Sequence, residues 1–268
     1  MMNDSIKADI TISIISFNIK YDNRSDKINN WDIRKDEIIN LILSESPSFI
    51  GIQEGLLNQI QYLKGSFPKY EYIGVGRDDG KLKGEFCAIY YDSSKFQLIR
   101  QSTFWLSSNP SEISVGWDAA LERICTYGYF EHKNSKQRIW IFNTHFDHIG
   151  MVSRVQSSRL ILDQINKLNG FSQPTVVMGD FNDLPNSLSI QTLNKKLDDS
   201  MYISKSDHIG PAGTFNGFDI ENSISKRIDY IFVKRLEVFH HQHLDKRLRN
   251  GNHLSDHLPV LIKAKVRN

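Results

Sequence analysis

Residues 174–187, PTVVMGDFNDLPNS, run apolar and then break into Asp180, Asn182 and Asp183. Gly179, Asn182, Asp183 and Pro185 all suit a chain reversal, so taken alone the stretch reads as a turn after a buried strand. The same juxtaposition recurs along the chain. Asn18, Glu54, His145, Asp229, and the pair Asp256 and His257 each fall at, or within a residue or two of, an end of an apolar run. Carboxylates and imidazoles brought to one place can relay protons and hold a cation, and amides beside them can donate to an anion. A core has no use for such a set, because each buried polar group costs kilocalories unless it is paired. If these strand ends share one rim they form a site. If they do not, each is a turn.

The elements that would position them follow from periodicity. ITISIISFNI (10–19) alternates as a strand and ends near Asn18, and SFIGIQE (48–54) is a short buried strand ending in Gln53 and Glu54. Between them WDIRKDEIINLILSES (31–46) places Trp31, Ile38, Leu41 and Ile42 at helical spacing, with Pro47 where a helix should stop. YEYIGVG, EFCAIYYD, KFQLIRQSTFWLS, RICTYGYFEH and QRIWIFNTHF read as successive strands. VSRVQSSRLILDQINKL (152–168) reads as a long amphipathic helix, followed by the strand PTVVMGDF, a short helix around 187–196, and strands RIDYIFVK, LEVFHHQHL and HLPVLIKAKV. Each half of the chain thus starts strand–helix–strand and continues with mainly antiparallel strands. That pattern predicts two face-to-face sheets with helices outside, a single α/β sandwich domain over 1–268.

Composition bounds the function. The 268 residues are 40% hydrophobic and 24% charged, ordinary globular usage, with a formal net charge of +2 from 33 basic and 31 acidic residues. A protein built mainly to coat nucleic acid would carry a strong basic excess. Cys87 and Cys125 each lie in a β-like apolar run and read as buried thiols rather than a disulfide or metal ligands. No stretch approaches the roughly 18 apolar residues of a membrane span, and MMNDSIKADI lacks the layout of a signal peptide. A cytoplasmic monomer is the expectation, or a secreted one if a leader was removed.

In order, SFN, QE, NTHFDH, GDFN, RIDY and SDH across residues 16–257 resemble the endonuclease/exonuclease/phosphatase superfamily. That group includes pancreatic deoxyribonuclease, exonuclease III, inositol polyphosphate 5-phosphatases, neutral sphingomyelinases and poly(A) deadenylases. The resemblance implies a four-layer α/β sandwich and metal-dependent cleavage of a phosphoester. It implies that Glu54 holds Mg²⁺ or Mn²⁺, with Asn18 beside it and Asp256 near enough to assist. Asp180 would orient or deprotonate the attacking water, and Asn182 would donate to the phosphoryl oxygens. His257 would be charged and held by Asp229. His145, held by Glu85 in KGEFCAIYY, would face the same phosphate, and Arg123 in ERICTYG matches a phosphate-contacting arginine. The physics is consistent: an anionic phosphoester repels hydroxide, so cleavage needs positive charge and a base for water.

Several positions keep a plainer alternative. Glu85 and Arg123 could form an exposed cross-strand ion pair. In HHQH (240–243) alternate residues face opposite ways, so only His241 with His243, or His240 with Gln242, could act together, and the tract reads as a solvated strand. KRLRN (246–250) reads as a loop near the site, Asp147 and His148 as residues behind the site or in a loop, and Trp105 and Trp117 as loop or core alike. His208 and Asp219 carry no assigned role. Phe215 and Asn216 in GTFNGF are candidates for substrate contact.

NTHFDH and Gly55 depart from the exonuclease III pattern, which has an aromatic residue and an asparagine-rich loop at the first and a lysine at the second. GRDDGKLKGEFCAIYY and GWDAALERICTYG look most like bacterial metal-dependent hydrolases. A small or lipid-linked phosphodiester or phosphomonoester is the favoured substrate; nucleic acid, hydrolysed by a nuclease of the same superfamily, is the alternative. A catalytically inactive binding module is the reading from another class, and the complete set of residues speaks against it.

Overall fold

The computed structural model describes residues 9–266. Strand β1 (Ile10–Asn18) leads to helix α1 (Trp31–Glu45), then β2 (Phe49–Gly55), α2 (Leu57–Ser66), β3 (Tyr70–Ile73), β4 (Phe86–Asp92) and β5 (Phe96–Trp105). The chain continues through β6 (Ile124–His132), β7 (Arg138–His145), α3 (Met151–Asn169), β8 (Thr175–Asp180), α4 (Leu188–Asn194), β9 (Asp198–Asp199) and α5 (Ser200–Ile203). It ends with β10 (Asp229–Lys234), β11 (Leu236–His243) and β12 (Val260–Val266).

Twelve strands make two six-stranded sheets, ordered β11-β12-β1-β2-β4-β3 and β5-β6-β7-β8-β10-β9. Residues such as Ile14, Phe49, Ile89, Ile141, Met178 and Ile231 fill the space between the sheets. Helix α1 packs Ile38 and Ile42 on the outer face of the first sheet, and α3 packs Ile161 and Ile165 on the outer face of the second. The result is the expected four-layer α/β sandwich. The sheets are not the two sequence halves, however, because β11 and β12 return to the first sheet beside β1.

Helix ends follow local chemistry. Asn30 accepts from the Ile33 amide to start α1, and Ser46 in left-handed conformation ends it before Pro47. Helix α2, which periodicity did not single out, starts without a Ser, Thr, Asp or Asn cap. The Gln59 side chain accepts the Leu56 amide at 3.0 Å instead.

Register carries polar residues to one rim. In the second sheet β7 and β8 run parallel with His145 beside Asp180, and β10 runs antiparallel to β8 with Asp229 on Asp180's other side. In the first sheet the parallel pair β1 and β2 aligns Asn18 with Gln53, one residue before Glu54. Beneath this rim an amide bridge ties the sheets together. Gln53 Nε2 donates to Asn143 Oδ1 at 2.6 Å, and Asn143 Nδ2 donates to the carbonyls of Ile52 and Ala88. Removing that amide would strand buried carbonyls at about 1–3 kcal/mol each.

Candidate active site

Glu54 sits where β2 slips register against β4, between Ile52 and Gly55, and its φ is +59°. A bulge with a non-glycine residue in the left-handed region re-aims the carboxylate at a local cost of about 1–3 kcal/mol. Lys20 (φ +57°) and Asn182 (φ +49°) share that conformation, so three residues of one rim hold backbone that the surrounding sheets must enforce. Gly179, before Asp180, could be no other residue: a Cβ there would lie 2.0 Å from the Thr144 carbonyl oxygen.

On one side of the rim lie Glu54, Asp256, Asn18 and Lys20. Asn18 is fully buried and donates through Nδ2 to Glu54 Oε1 (3.0 Å) and Asp180 Oδ2 (2.9 Å), while its Oδ1 accepts the Lys20 amide. Its amide therefore fastens two carboxylates and presents nitrogen, not oxygen, to them. Glu54 Oε2 accepts the Tyr21 amide, and the Lys20 ammonium lies 3.6 Å from Glu54 Oε2 and 3.2 Å from Asp256 Oδ2. Burial opposes the Lys20 charge, but Glu54 and Asp256 outweigh it and raise the ammonium's pKa. Two hard carboxylate oxygens thus face one cation position, a donor set that fits Mg²⁺ or Mn²⁺ with water or substrate completing the shell. Glu54, Asp180 and His257 also place one ligand atom each within 4.8 Å of one another.

On the other side Asp180 is the hub. Its Oδ1 accepts the Asn182 amide at 2.9 Å, and its Oδ2 lies 3.3 Å from His145 Nε2 and 3.7 Å from His257 Nε2. Burial pushes its carboxyl up to about 7, with His257 pulling it down and Asp229 adding to the push. His257 donates from Nδ1 to Asp229 Oδ2 at 2.8 Å. Burial opposes its charge, yet Asp229 and then Asp180 hold the imidazole well above its usual value, so Nε2 also carries a proton. Asp229 in turn is fixed by its own amide, which donates to Thr214 Oγ1.

His145 differs from expectation. Glu85 gives both oxygens to Arg77, at 2.7 and 3.1 Å, and comes only within 3.8 Å of His145 Nδ1, which has no hydrogen-bond partner among the described residues. Burial first, then Arg123 and Arg77, drives His145 well below its usual pKa, so it is a neutral ring and not an imidazolium. Its Nε2 accepts from Asn182 Nδ2 at 3.1 Å, and the same Nδ2 donates to the Phe146 carbonyl.

Arg123 is no exposed cross-strand pair: it is buried, with Nε donating to Asp147 Oδ2 and Nη2 to His148 Nδ1. Phe215 packs edge-on against His257, ring centroids 5.1 Å apart. Asn216 turns away, its Nδ2 donating to the Ser255 carbonyl and its Oδ1 accepting the Phe218 amide, which shapes the loop carrying Phe215.

A cleft of about 490 Å³ runs over this rim, lined by Glu54, Glu85, Arg123, His145, Asp180, Asn182, Phe215, Asp256 and His257. Lys20, Tyr21, Arg77, Leu121 and His148 complete the lining. Asn18 and Asp229 support it from beneath. Sequence reasoning missed Lys20 and Arg77; the only signal was their closeness to SFN and to KGEFCAIYY. Trp105 proves buried, its Nε1 donating to the Arg77 carbonyl, while Trp117 is exposed. The KRLRN loop stays out of the cleft, with Arg247 paired to Asp245. The solvated reading of HHQH is corrected in part: His241 and His243 are each 1% exposed and gather with His208.

The comparisons with known proteins accord with this arrangement. The Endonuclease/Exonuclease/phosphatase family profile matches residues 15–257. A solved endonuclease/exonuclease/phosphatase from Bacteroides vulgatus is 35% identical, with a TM-score of 0.91 over 96% of this chain and 100% of that one. The mannosyl-6-phosphatase of Bacteroides thetaiotaomicron is 36% identical, with a TM-score of 0.89 over 94% and 99% of the two chains. An uncharacterised protein of Acanthamoeba polyphaga mimivirus is 28% identical over 261 residues, 87% of this chain and 91% of that protein. With the family pattern running from β1 to His257 and the whole sandwich superimposing on solved members, this chain belongs to the endonuclease/exonuclease/phosphatase family.

Proposed function

We propose that the protein hydrolyses small phosphoesters, with a sugar-phosphate-like monoester as the leading substrate class, assisted by Mg²⁺ or Mn²⁺. The observation that carries the reading is the position of Asp180: a carboxyl near neutrality on the floor of a cleft, between a charged donor at His257 and the facing carboxylates of Glu54 and Asp256. The small-substrate side draws support from the mannosyl-6-phosphatase, to which this chain is 36% identical over 94% of its length. It draws support also from the net charge of +2, which leaves little excess for gripping a long polyanion.

Glu54 and Asp256 would hold the cation, with Asn18 fixing the Glu54 carboxylate. When bound, the cation supplies positive charge against the charge gathering on the phosphoryl oxygens. Asp180 accepts the proton of the attacking water, a task suited to a carboxyl whose pKa lies near the working pH. His257 donates from Nε2 to a phosphoryl oxygen while Asp229 keeps it charged. The wall of Arg77 and Arg123 offers further donors, Asn182 Nδ2 would join them by exchanging its bond to His145 Nε2 for one to a phosphoryl oxygen, and Phe215 bounds the side where the leaving group sits.

The test is turnover of mannose 6-phosphate, other sugar phosphates, bis(p-nitrophenyl) phosphate, plasmid and single-stranded oligonucleotide, with Mg²⁺ or Mn²⁺ and with excess EDTA. The expected result is sugar-phosphate turnover that stops in EDTA, with a salt dependence of about three phosphate contacts or fewer. Full activity in EDTA would overturn the metal requirement. Plasmid nicking that collapses with salt, without turnover of any small substrate, would establish the nuclease reading.

A further inference from the structure

Away from the cleft, His208, His241 and His243 bring one ring nitrogen each within 4.8 Å of the others. His241 and His243 alternate on β11 after its bulge, paired with Ile262 and Val260 on the face that turns toward the second sheet. His208 comes from the loop that pairs along the outer edge of β11, tied by Ile209 to the His241 and His243 backbone. A single carbonyl, that of Pro211, accepts from both His208 Nε2 (3.0 Å) and His243 Nδ1 (2.7 Å). A carbonyl only accepts, so those nitrogens carry the protons, and the lone pairs lie on His208 Nδ1 and His243 Nε2. His243 Nε2 is fully buried and has no hydrogen-bond partner among the described residues. His208 Nδ1 is shared with His241 Nδ1 at 3.0 Å.

Imidazoles whose far nitrogens are held by a backbone carbonyl, with bare lone pairs turned together, are arranged as metal-ligating histidines are. We propose that His208, His241 and His243 form a zinc site, separate from the catalytic cleft, which staples the 204–213 loop to β11. The ion takes the place of the proton between His208 Nδ1 and His241 Nδ1, and that proton moves to His241 Nε2, so all three rings stay neutral. Zn–N bonds of about 2.0–2.1 Å set tetrahedral donors roughly 3.3–3.5 Å apart; the His208 and His241 nitrogens at 3.0 Å would open slightly and His243 Nε2, now within 4.8 Å, would draw in, adjustments that the half-buried His208 loop can make. Imidazole donors without carboxylates suit zinc over Mg²⁺ or Ca²⁺, and water fills the fourth position. Arg227, whose charge also faces the cluster, is neutralised by two hydrogen bonds to Asp199. The staple matters to the cleft because the same loop continues through Gly213 to Phe215.

The test uses full-length protein carrying Glu54→Gln and His257→Gln, which disable zinc binding in the cleft, stripped with chelator and dialysed against Zn²⁺. About one Zn²⁺ per chain should remain, and the thermal midpoint should rise by several degrees. Adding His208→Ala should remove most of the zinc and abolish the rise. Zinc content that is negligible from the start, or equal with and without His208→Ala, overturns the proposal. Should the His208→Ala protein fail to fold, Co²⁺ titration of the parent decides. Intense visible absorption of a tetrahedral nitrogen site supports the assignment, and the pale spectrum of hydrated Co²⁺ refutes it.

Discussion

Two buried histidine groups in this molecule differ in charge, one cationic and the other neutral. His257 and His243 are exposed to 4% and 1%, yet the first is held well above the usual imidazole pKa and the second is driven down to about 3. Burial works against the cation in both. The difference is the partner: His257 faces Asp229 and Asp180, whereas His243 faces the Pro211 carbonyl, His208 and Arg227. A carboxylate partner makes a buried imidazole a charged donor fit for an anion. A carbonyl partner leaves a neutral ring with a lone pair fit for a metal. His145 stands between these cases, in the cleft but neutral, because burial and the charges of Arg123 and Arg77 oppose its cation while Glu85 is spent on Arg77.

The hardest blow to the carboxylate side is Asp180→Asn, which keeps the shape but removes the base and one of the two charges holding His257. Its kcat should fall by about three to four orders of magnitude while the thermal midpoint stays nearly unchanged. A variant with most of its activity would make Asp180 a turn residue after all. Asp229→Asn should cost less, about ten- to a hundredfold in kcat, and should move the pH profile in a stated direction. The raised pKa of His257 keeps its charge as pH climbs, so losing Asp229 should shift the alkaline limb of activity to lower pH. An unmoved limb would detach that limb from His257.

Lys20 offers a smaller and subtler test. Its ammonium lies against Glu54 and Asp256, where a divalent cation would compete with it. Lys20→Met should therefore lower the Mg²⁺ concentration for half-maximal activity by about threefold to tenfold, a repulsion of roughly a kilocalorie removed from a partly exposed site. Half-maximal activity at a higher Mg²⁺ concentration in the wild type than in the variant would support this; the opposite order would make Lys20 a partner of the cation and not a rival.

The neutral cluster is probed by stability. His241 and His243 take up protons in the unfolded chain near pH 6.5 but in the fold only at about 2 and about 3. The unfolded state therefore binds more protons below pH 6.5, so zinc-free protein should lose stability as pH falls from 7 to 5, by up to about 1.4 kcal/mol per pH unit for each histidine. His243→Gln should be less stable at pH 7 and shallower in slope, read from urea midpoints at both pH values. Equal slopes would show that the cluster charges within the fold.

The polar strand ends were legible because strands end where apolar alternation stops, and the sandwich was legible because periods of 2 and 3.6 are written in neighbouring residues. Helix α2 escaped because its cap is Gln59 folding back on Leu56 and not a residue of capping type ahead of it. Both cysteines do lie buried and free, and burial pushes the Cys87 thiol up to about 12. The error over HHQH came from reading the tract as a solvated strand. Its alternation was read correctly, but nothing local announces that the 204–213 loop pairs along this edge and brings His208 and the Pro211 carbonyl onto His241 and His243.

Residue type, order and spacing were thus enough to assign most of the elements, to collect Asn18, Glu54, His145, Asp180, Asn182, Asp229, Asp256 and His257 as one set, and to point to the family. The charged His257 held by Asp229 was implied by the resemblance, but other pairings lay beyond them. That Glu85 serves Arg77 and not His145, that Asn18 turns its nitrogen to the carboxylates, and that Lys20 lies between Glu54 and Asp256 all depend on groups brought together from separate strands and loops. Desolvation and Coulomb energy act through space over a few ångströms, and only the packed sheets determine which side chains come within that distance.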